Sequence, residues 1–412
     1  MARNSPFLKD FAELSRIGST PAGGVERQAA SAADCEARAW LEHLLGAMGA
    51  TVIYDAIGNQ FGLFEFQPGA PYVLVGSHLD SQPRAGRFDG AYGVLAAAHA
   101  AERLRAGCEE NPPRRNLAVV NWFNEEGSRF TPSMMGSGVF CGTLPLVDAL
   151  NATDLQGVSV REALDRAAWS GPAGSHTPPD ICAYAEIHVE QGKTLEQVGA
   201  QIGVVTATWG ARKYRAVVRG EQGHTGSTLM EDRRDALVGA AVVIAAVRRL
   251  CAEYPAGQLH SSVAQLSVQP NSPVTIAREV VFNVDLRSPH SEILAAAHER
   301  LHEITAEAAE ESRTTITLEA THEWALNPYP EAGVQLGRAA AIACGYQPHD
   351  VYTVAGHDST NLKEIVPTVM LFVPSVDGIS HNEAECTSDA DCLAGVEVLT
   401  AVVRRLLAGE LG

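Results

Sequence analysis

The sequence predicts an α/β fold in which a second, smaller domain is inserted into a mixed-sheet main domain. Apolar strand-like runs alternate with helix-like segments along most of the chain, as in proteins whose helices cover a mostly parallel sheet. Polar residues follow four of these apolar runs directly. From about residue 212 to residue 322 the order changes to β-α-β-β-α-β, which is typical of a ferredoxin-like unit. We therefore expect residues 1–211 and 323–412 to form the main domain and residues 212–322 the inserted one.

The first half of the chain predicts a helix, a hairpin and then alternating strands and helices. Asp34 is expected to cap a helix whose apolar stripe runs from Trp40 to Met48 and which stops near Gly49. The Gly58-Asn59 pair predicts the turn of the hairpin. Short apolar runs predict buried strands, and an alanine-rich stretch predicts a helix. The predicted strands are 51–54, 60–66, 72–75, 117–123 and 183–187, and the alanine-rich helix is 91–104.

The inserted region and the last part of the chain follow the same logic. Alternating apolar residues predict strands, and apolar residues three and four apart predict helices. In the inserted region the predicted strands are 213–219, 262–268, 279–286 and 314–318, and the helices are 232–254 and 291–309. The predictions for the last part of the chain are a strand at 368–373 and a closing helix at 389–407.

Composition and charge exclude several classes of protein. The 412 residues carry a net charge of −18, which argues against binding to nucleic acid. No apolar run approaches the ~18 residues of a membrane span, and the first ten residues contain no apolar run long enough for a signal peptide. The Asn151–Thr153 glycosylation sequon is therefore expected to be inert. Eight scattered cysteines without a Cys-x-x-Cys pair are expected to be free thiols of a cytoplasmic protein.

Three polar residues near the first buried strands are candidate metal ligands or their partners. Neutral histidine is a common metal ligand and a nearby carboxylate fixes its tautomer, so His78 and Asp80 can act together. Taken alone, such a pair is more often structural. Asp89 lies between glycines at the head of a predicted helix, where a helix cap is an equally good explanation.

Two adjacent carboxylates and two further histidines extend this set. Glu125 and Glu126 follow an apolar strand, where they repel each other unless a cation compensates, although a solvated loop also explains such a pair. His188 and His381 each follow another predicted strand. Together these residues suffice for a two-metal site in which one glutamate binds metal and the other moves a proton.

These motifs jointly resemble the di-metal amidohydrolases that cleave N-carbamoyl groups. The motifs are Gly76-Ser-His-Leu-Asp80, Phe88-Asp-Gly90, Asn124-Glu-Glu-Gly-Ser-Arg-Phe130, His188-Val-Glu-Gln-Gly192 and Gly378-Ile-Ser-His381. The family includes N-carbamoyl-L-amino-acid hydrolase, allantoate amidohydrolase and β-ureidopropionase, within a superfamily of di-zinc aminoacylases and peptidases. The resemblance runs from about Gly23 to the C-terminus. It implies a di-zinc peptidase-like catalytic domain and an inserted ferredoxin-like lid and dimerisation domain.

The resemblance also implies a role for each residue of the site. Asp89 would bridge two divalent ions per subunit, zinc or alternatively manganese or cobalt. His78 and His188 would complete one metal site, and Glu126 and His381 the other. Glu125 would be the general base, and Asp80 would orient His78 without binding metal itself.

Residues of the inserted domain would complete the site for a small amide or ureido substrate that bears a carboxylate. His224 would reach the site of a partner subunit in a homodimer and stabilise the oxyanion, although an exposed loop histidine is the plainer explanation from the sequence. Arg287 would bind the substrate carboxylate through its planar fork. Gln191 and Gly378 of the main domain would be further substrate contacts.

Some positions differ from the family motifs, so the resemblance does not determine which substrate is hydrolysed. Val274 stands at a substrate-binding asparagine of the family and Leu229 at a proline, while His357 and Asp358 match a family segment without an assigned role. We expect hydrolysis of an N-carbamoyl-L-amino acid to the amino acid, carbon dioxide and ammonia. Allantoate and N-acyl or conjugated amino acids remain alternatives. A further alternative is a binding or regulatory member of the family without catalytic activity. Every expected metal ligand and the general base are present, however.

Overall fold

The structure is a computed structural model that describes residues 5–106, 112–169 and 177–411. It divides into two compact units, one formed by Met1–Thr206 with Tyr329–Gly412 and the other by Ala207–Pro328. The strands are β1 Thr51–Tyr54, β2 Gln60–Phe64, β3 Tyr72–His78, β4 Asn116–Trp122, β5 Ile181–Val189, β6 Gly203–Thr208, β7 Gly210–Arg219, β8 Gly223–His224, β9 His260–Ser262, β10 Leu266–Gln269, β11 Thr275–Ile276, β12 Glu279–Ser288, β13 Thr315–Trp324, β14 Asn327–Pro328, β15 His349–Thr353 and β16 Thr368–Val373. The helices are α1 Pro6–Leu14, α2 Ala32–Ala47, α3 Ala91–Arg105, α4 Met135–Phe140, α5 Leu146–Asn151, α6 Val160–Ala167, α7 Thr194–Val198, α8 Ala236–Leu250, α9 Ser291–Ser312, α10 Glu331–Ala343, α11 Asp358–Leu362 and α12 Asp389–Ala408.

The first unit is built on a mixed sheet with the strand order β1-β2-β4-β3-β5-β16-β6, and β15 also pairs with β6. Strand β3 runs parallel to β4 and β5, and β5 runs parallel to β16. The outer pairs β1–β2, β2–β4 and β16–β6 are antiparallel. The predicted mixed α/β architecture is therefore confirmed.

Burial on both faces explains why the inner strands are apolar runs without alternation. On β3, Val73 and Val75 join the core beneath helices α3 and α12, whereas Leu74 between them joins a separate cluster on the opposite face with Phe61 and Trp122. All seven residues of β4 are buried. Because β3, β4, β5 and β16 are parallel, their carboxyl ends meet at one edge of the sheet, and this edge carries the candidate site.

The second unit is an antiparallel sheet of order β10-β12-β7-β13, with β9 also paired to β12 and a two-stranded ribbon of β8 and β11. Its core lies between this sheet and the helices α8 and α9, and it includes Tyr214, Val280, Phe282 and Leu301. Where the chain leaves and re-enters this unit, Asn327 of β14 pairs with Thr208 of β6. The predicted range 212–322 lies inside this unit, and its lid and dimerisation roles stay predictions.

Several local predictions were wrong. Ser31, not Asp34, caps α2, while Asp34 in the first turn accepts a hydrogen bond from Ala30 N at 2.7 Å and pairs with Arg38. Gly90, with φ +63°, occupies the cap of α3, so the helix-cap explanation of Asp89, which the sequence left open, does not apply. His78 and His188 lie within their strands and not after them.

One predicted strand of the second unit is also corrected. The run 262–268 is not continuous: it is divided between β9 and β10, which pair with different parts of β12. Asp285 to Arg287 face β9, whereas Glu279 to Phe282 face β10. The sequence pattern could not reveal this division, because both pieces pair with the same strand, β12.

The structure also shows the state of the described cysteines and the character of the described helices. Seven cysteines are free thiols, and Cys108 lies outside the described residues. Within the described part of the chain, no helix is long and apolar enough to cross a membrane.

Candidate metal centre

The first group of candidate ligands consists of His78, Asp89 and His188, all buried at the carboxyl edge of the sheet. The Oδ1 atom of Asp89 lies 3.1 Å from Nε2 of His188 and 3.6 Å from Nε2 of His78. The Nδ1 atom of His78 bonds the carbonyl oxygen of Asp80, and the Nδ1 atom of His188 bonds that of Val189, both at 2.9 Å. Both rings therefore present Nε2 to the same oxygen of Asp89.

The second group consists of Asp89, Glu126 and His381, and it shares Asp89 with the first. The Nε2 atom of His381 lies 3.2 Å from Oδ2 of Asp89 and 3.3 Å from Oε2 of Glu126. In each group the three ligand atoms lie within 4.8 Å of one another. The two oxygens of Asp89 thus face different pairs of residues, which is the arrangement expected of a carboxylate that bridges two ions.

The electrostatics of both groups favour bound cations. Burial lowers the pKa of His78 to about 4, so this ring is neutral and can act as a ligand. Burial would lower the pKa of His188 too, but contact with Asp89 raises it to about 9, so the site attracts positive charge. Burial, together with the charge of Asp89, raises the pKa of Glu126 to about 8. Nitrogen and carboxylate ligands around a shared carboxylate fit zinc, manganese or cobalt.

Glycine at position 90 is required by the close packing of this site. Its φ of +63° favours glycine, and a Cβ atom there would lie 2.3 Å from the ring of His78. Its backbone N–H donates to Nε2 of His188 at 2.9 Å. The turn before α3 therefore brings Asp89 and both histidines together.

Glu125 and Glu126 are adjacent but have different surroundings. Oε2 of Glu125 lies 3.6 Å from Nε2 of His78, whereas Glu126 faces His381 and accepts a hydrogen bond from Nε2 of Gln82 at 2.9 Å. Burial and neighbouring carboxylates hold the pKa of Glu125 well above its usual range. In the described chain Glu126, not Glu125, belongs to a three-residue ligand group.

Asp80 contacts His78 in a different way from the one predicted. Its carbonyl oxygen makes the hydrogen bond to Nδ1 of His78, while its carboxylate oxygen is 3.8 Å from that atom. The carboxylate instead accepts the backbone N–H groups of Glu125 and Glu126, each at 3.2 Å. Asp80 therefore positions the two glutamates as well as the histidine.

The family of the chain follows from comparison with known proteins. Residues 74–405 match the peptidase family M20/M25/M40. The chain belongs to this family. Enzymes of the M20 family use divalent metal ions, in keeping with the two ligand groups.

Several relatives of this M20 hydrolase are named as amidohydrolases. A Mycolicibacterium smegmatis protein named only as a hydrolase is 55% identical, over 99% of this chain and 94% of that protein. N-carbamoyl-L-amino acid amidohydrolase of Geobacillus stearothermophilus is 34% identical over 100% of both chains, and allantoate amidohydrolase of Bacillus subtilis is 31% identical over 97% of both. A hydantoinase/carbamoylase family amidase of Burkholderia vietnamiensis has a solved structure with a TM-score of 0.92 and 38% identity, covering 98% of this chain and 97% of that chain. The protein is thus an enzyme of the amidohydrolase type, acting on carbon–nitrogen bonds other than peptide bonds.

Of the predicted substrate contacts in the first unit of this M20 enzyme, Gln191 contacts the ligand groups, and Gly378 packs against the residue that follows Gln191. Nε2 of Gln191 donates to Oδ2 of Asp89 and to Oγ of Ser380, both at 3.0 Å. The Oε1 atom of Gln191 is buried and has no hydrogen-bond partner among the residues that the structure describes. Gly378 has φ +64°, and a Cβ atom there would lie 2.9 Å from the carbonyl carbon of Gly192. Gly378 therefore lets the loop that carries His381 approach the loop of Gln191.

The second unit contains the other predicted residues. His224, in β8, is exposed, and its Nδ1 accepts the N–H of Gly226 at 3.0 Å, so its proton lies on Nε2. The guanidinium of Arg287 contacts the Asp285 carboxylate, with Nη2 to Oδ2 at 2.7 Å. Val274 is 60% exposed.

The sequence prediction did not include two buried acidic residues near the site, Glu385 and Glu186, and it gave no role to a third, Asp358. Glu385 accepts the backbone N–H of Asp89 at 3.0 Å, and Glu186 accepts hydrogen bonds from Ser77 and Tyr184. The Asp358 carboxylate accepts the Ser137 hydroxyl at 2.5 Å, next to the His357 ring, which packs 4.5 Å from that of His188. The short spacing between His381 and Glu385 was the one signal available for Glu385.

Proposed function

We propose that this enzyme hydrolyses N-carbamoyl-L-amino acids to the free amino acid, carbon dioxide and ammonia. The observation that carries the proposal is the pair of ligand groups that share Asp89, with the carboxylate of Glu125 next to them. A related carbamoylase aligns over the full length of the chain and supports the choice of substrate.

The residues present would hold two divalent ions, one with His78, Asp89 and His188 and the other with Asp89, Glu126 and His381. When bound, such ions supply Lewis acidity, which lowers the pKa of water and polarises a carbonyl group. Zinc is the proposed metal, and manganese and cobalt are alternatives.

The residues of the chain then carry out proton transfer and binding. In its ionised form, which bound cations would favour, Glu125 takes a proton from the attacking water and returns it to the nitrogen that leaves. Nε2 of His224, which carries its proton, donates to the oxyanion that develops on the carbonyl oxygen. Arg287 binds the α-carboxylate, and Gln191 and Gly378 line the substrate position. The carbamate that is released decays to carbon dioxide and ammonia.

The second candidate is hydrolysis of an N-acyl or conjugated amino acid by the same steps. Val274 favours it, because an apolar and exposed side chain stands where carbamoylase-like relatives are expected to bind a polar group. Allantoate is a third substrate to test, since an allantoate amidohydrolase is also a full-length relative.

A substrate panel separates these candidates. The protein is stripped with a chelator, reloaded with Zn²⁺, Mn²⁺ or Co²⁺, and assayed with N-carbamoyl, N-acetyl and N-aroyl L-amino acids and with allantoate. We expect the highest kcat/KM for an N-carbamoyl-L-amino acid, and a kcat about 10²- to 10⁴-fold lower for the Glu125→Gln control. A higher value for an N-acyl compound or for allantoate would replace the proposed substrate, and turnover by the metal-free protein would reject the metal centre.

A further inference from the structure

Glu385 lies four residues after His381 and is buried, with 4% of its surface exposed. Its Oε1 atom accepts the backbone N–H groups of Phe88 and Asp89, each at 3.0 Å. Its Oε2 atom accepts the hydroxyl of Ser380 at 2.8 Å. One side chain therefore joins the loop of Asp89 to the loop of His381.

The same connection reaches the side chain of Asp89. Nε2 of Gln191 donates to Oγ of Ser380 and to Oδ2 of Asp89, both at 3.0 Å. The hydroxyl of Ser380 lies 3.4 Å from the same Oδ2 atom. Asp89 is thus held at its backbone by Glu385 and at its carboxylate by Gln191, and Ser380 links the two supports.

The loop before Asp89 closes directly over the carboxylate of Glu385. A Cβ atom on Gly86 would lie 2.2 Å from Oε1 of Glu385 and 2.3 Å from its Cδ. Any side chain at position 86 would push Glu385 away, so this glycine and this glutamate fit each other.

We propose that Glu385 is a positioning residue that fixes Asp89 and His381 relative to each other, so that both metal groups are formed before metal binds. Burial of a carboxylate is costly unless hydrogen bonds satisfy it, and the three donors to Glu385 do so. Because Asp89 belongs to both groups, a shift of its loop weakens both. The inference rests on the metal centre under the proposed function.

The test measures Zn²⁺ affinity, by competition with a chromophoric chelator, for the parent and for Glu385→Ala. Loss of a residue that orients metal ligands typically weakens binding 10- to 100-fold, and we expect about that loss. Glu383→Ala is the matched control, because Glu383 lies in the same segment but its carboxylate pairs with the exposed side chain of Arg84. We expect this control to bind Zn²⁺ like the parent.

Two further variants separate positioning from general stability. Glu385→Gln keeps an oxygen for both N–H groups and an amide that donates to Ser380, so its affinity should stay within a few-fold of the parent. Gly86→Ala keeps the charge of Glu385 but displaces it, and should reproduce the loss of Glu385→Ala. At saturating Zn²⁺ the kcat of both weakened variants should return towards that of the parent.

The possible results are distinguishable. Parent-like affinity of Glu385→Ala, or an equal loss in Glu383→Ala, overturns the role of Glu385 and leaves the metal centre standing. If Glu385→Ala does not fold, Gly86→Ala and Glu385→Gln decide in its place, and parent-like affinity of Gly86→Ala rejects the inference. A parent protein that binds no Zn²⁺, Mn²⁺ or Co²⁺ rejects the metal centre and this inference together.

Discussion

Glu125 and Glu126 are adjacent in sequence, but their side chains point to different residues and are proposed to have different chemical roles. Both backbone N–H groups are held by the Asp80 carboxylate, so the two side chains leave the strand end in fixed directions. Glu126 points to His381 and Glu125 to His78. Asn124, in a left-handed conformation with φ +51°, makes the turn that allows this.

Because the two side chains point in different directions, we expect different effects on kcat and on metal binding when each glutamate is replaced by glutamine. Glu125→Gln should reduce kcat about 10²- to 10⁴-fold, the range of general acid–base catalysis, and should retain metal. Glu126→Gln should lose metal, because a neutral amide is a poorer ligand than a carboxylate. Elemental analysis and steady-state kinetics measure the two effects, and equal metal loss in both variants would contradict this division.

At the residue scale, the sequence was sufficient where a side chain lies near the end of an apolar strand, as His78 and His188 do. The two ligand groups consist of residues that the motif spacing had already selected, because parallel strands must end at a common edge. The sequence was insufficient where a backbone group makes the contact. The hydrogen bond of His78 goes to the backbone carbonyl of Asp80, and a backbone carbonyl is present in every residue, so its position carries no sequence signal. Glu385 was missed for a similar reason, because its partners are two backbone N–H groups.

Among the elements, helix α2 contains a buried ion pair that connects it to the site. Arg38 pairs with Asp34 at 3.2 Å, and both side chains are fully buried. The guanidinium also donates to the carbonyl oxygens of Gly58 and Trp122, and Trp122 is the last residue of β4. Arg38 therefore secures the strand end that leads to Glu125.

Arg38→Met should reduce the free energy of unfolding by about 3–5 kcal/mol, because it leaves a buried carboxylate without its partner. Burial already raises the pKa of Asp34, and Arg38 opposes that rise. Without Arg38 the folded state binds a proton more tightly than the unfolded state, so stability falls as the pH rises above the unfolded pKa. The deficit measured by urea unfolding should be smaller near about pH 4.5 than near about pH 7. Arg103→Met, an exposed change on α3, should cost less than about 0.5 kcal/mol, and an equal cost for both variants would refute the argument.

Strand β12 of the second unit carries the predicted carboxylate-binding residue. Arg287 is oriented by Asp285, which Lys213 also approaches at 3.8 Å. Arg287→Ala should raise KM for substrates with a carboxylate and leave kinetics with a carboxamide analogue unchanged. Arg219→Ala, on neighbouring β7 and paired with Glu279, is the control that should leave KM unaltered. If the parent enzyme turns over carboxamides as well as carboxylates, Arg287 does not have this role.

Whole elements were predicted best where the apolar pattern was unbroken. The predicted strand 368–373 has the observed bounds of β16, whose six residues are all buried. Helix α2 was predicted with the wrong cap, because serine and aspartate both commonly cap helices. Only the structure shows that the side chain of Ser31 accepts a backbone N–H of the first turn. The short helix α7 and strand β15 were not predicted, since five residues carry too little periodicity.

For the whole molecule, the second unit has surfaces that a partner subunit would cover. Strand β13 is an edge of its sheet in the described chain, and most of its ten residues are exposed. Exposed edge strands are usually paired or protected. Leu229, Met230 and Val274 are exposed apolar residues in the segments around His224. These features motivate the prediction of a two-fold homodimer in which His224 serves the partner's site.

Mixing two inactive variants tests that prediction. Glu125→Gln lacks the base and His224→Ala lacks the oxyanion donor, so each homodimer should be inactive. If His224 acts on the partner's site, each heterodimer contains one site with both groups intact. Random subunit exchange makes about half of the dimers mixed, each with one whole site of two, so activity should recover to about a quarter of the parent's. If His224 acts within its own chain, every site lacks one group, and no activity should appear even when mass spectrometry shows that heterodimers have formed.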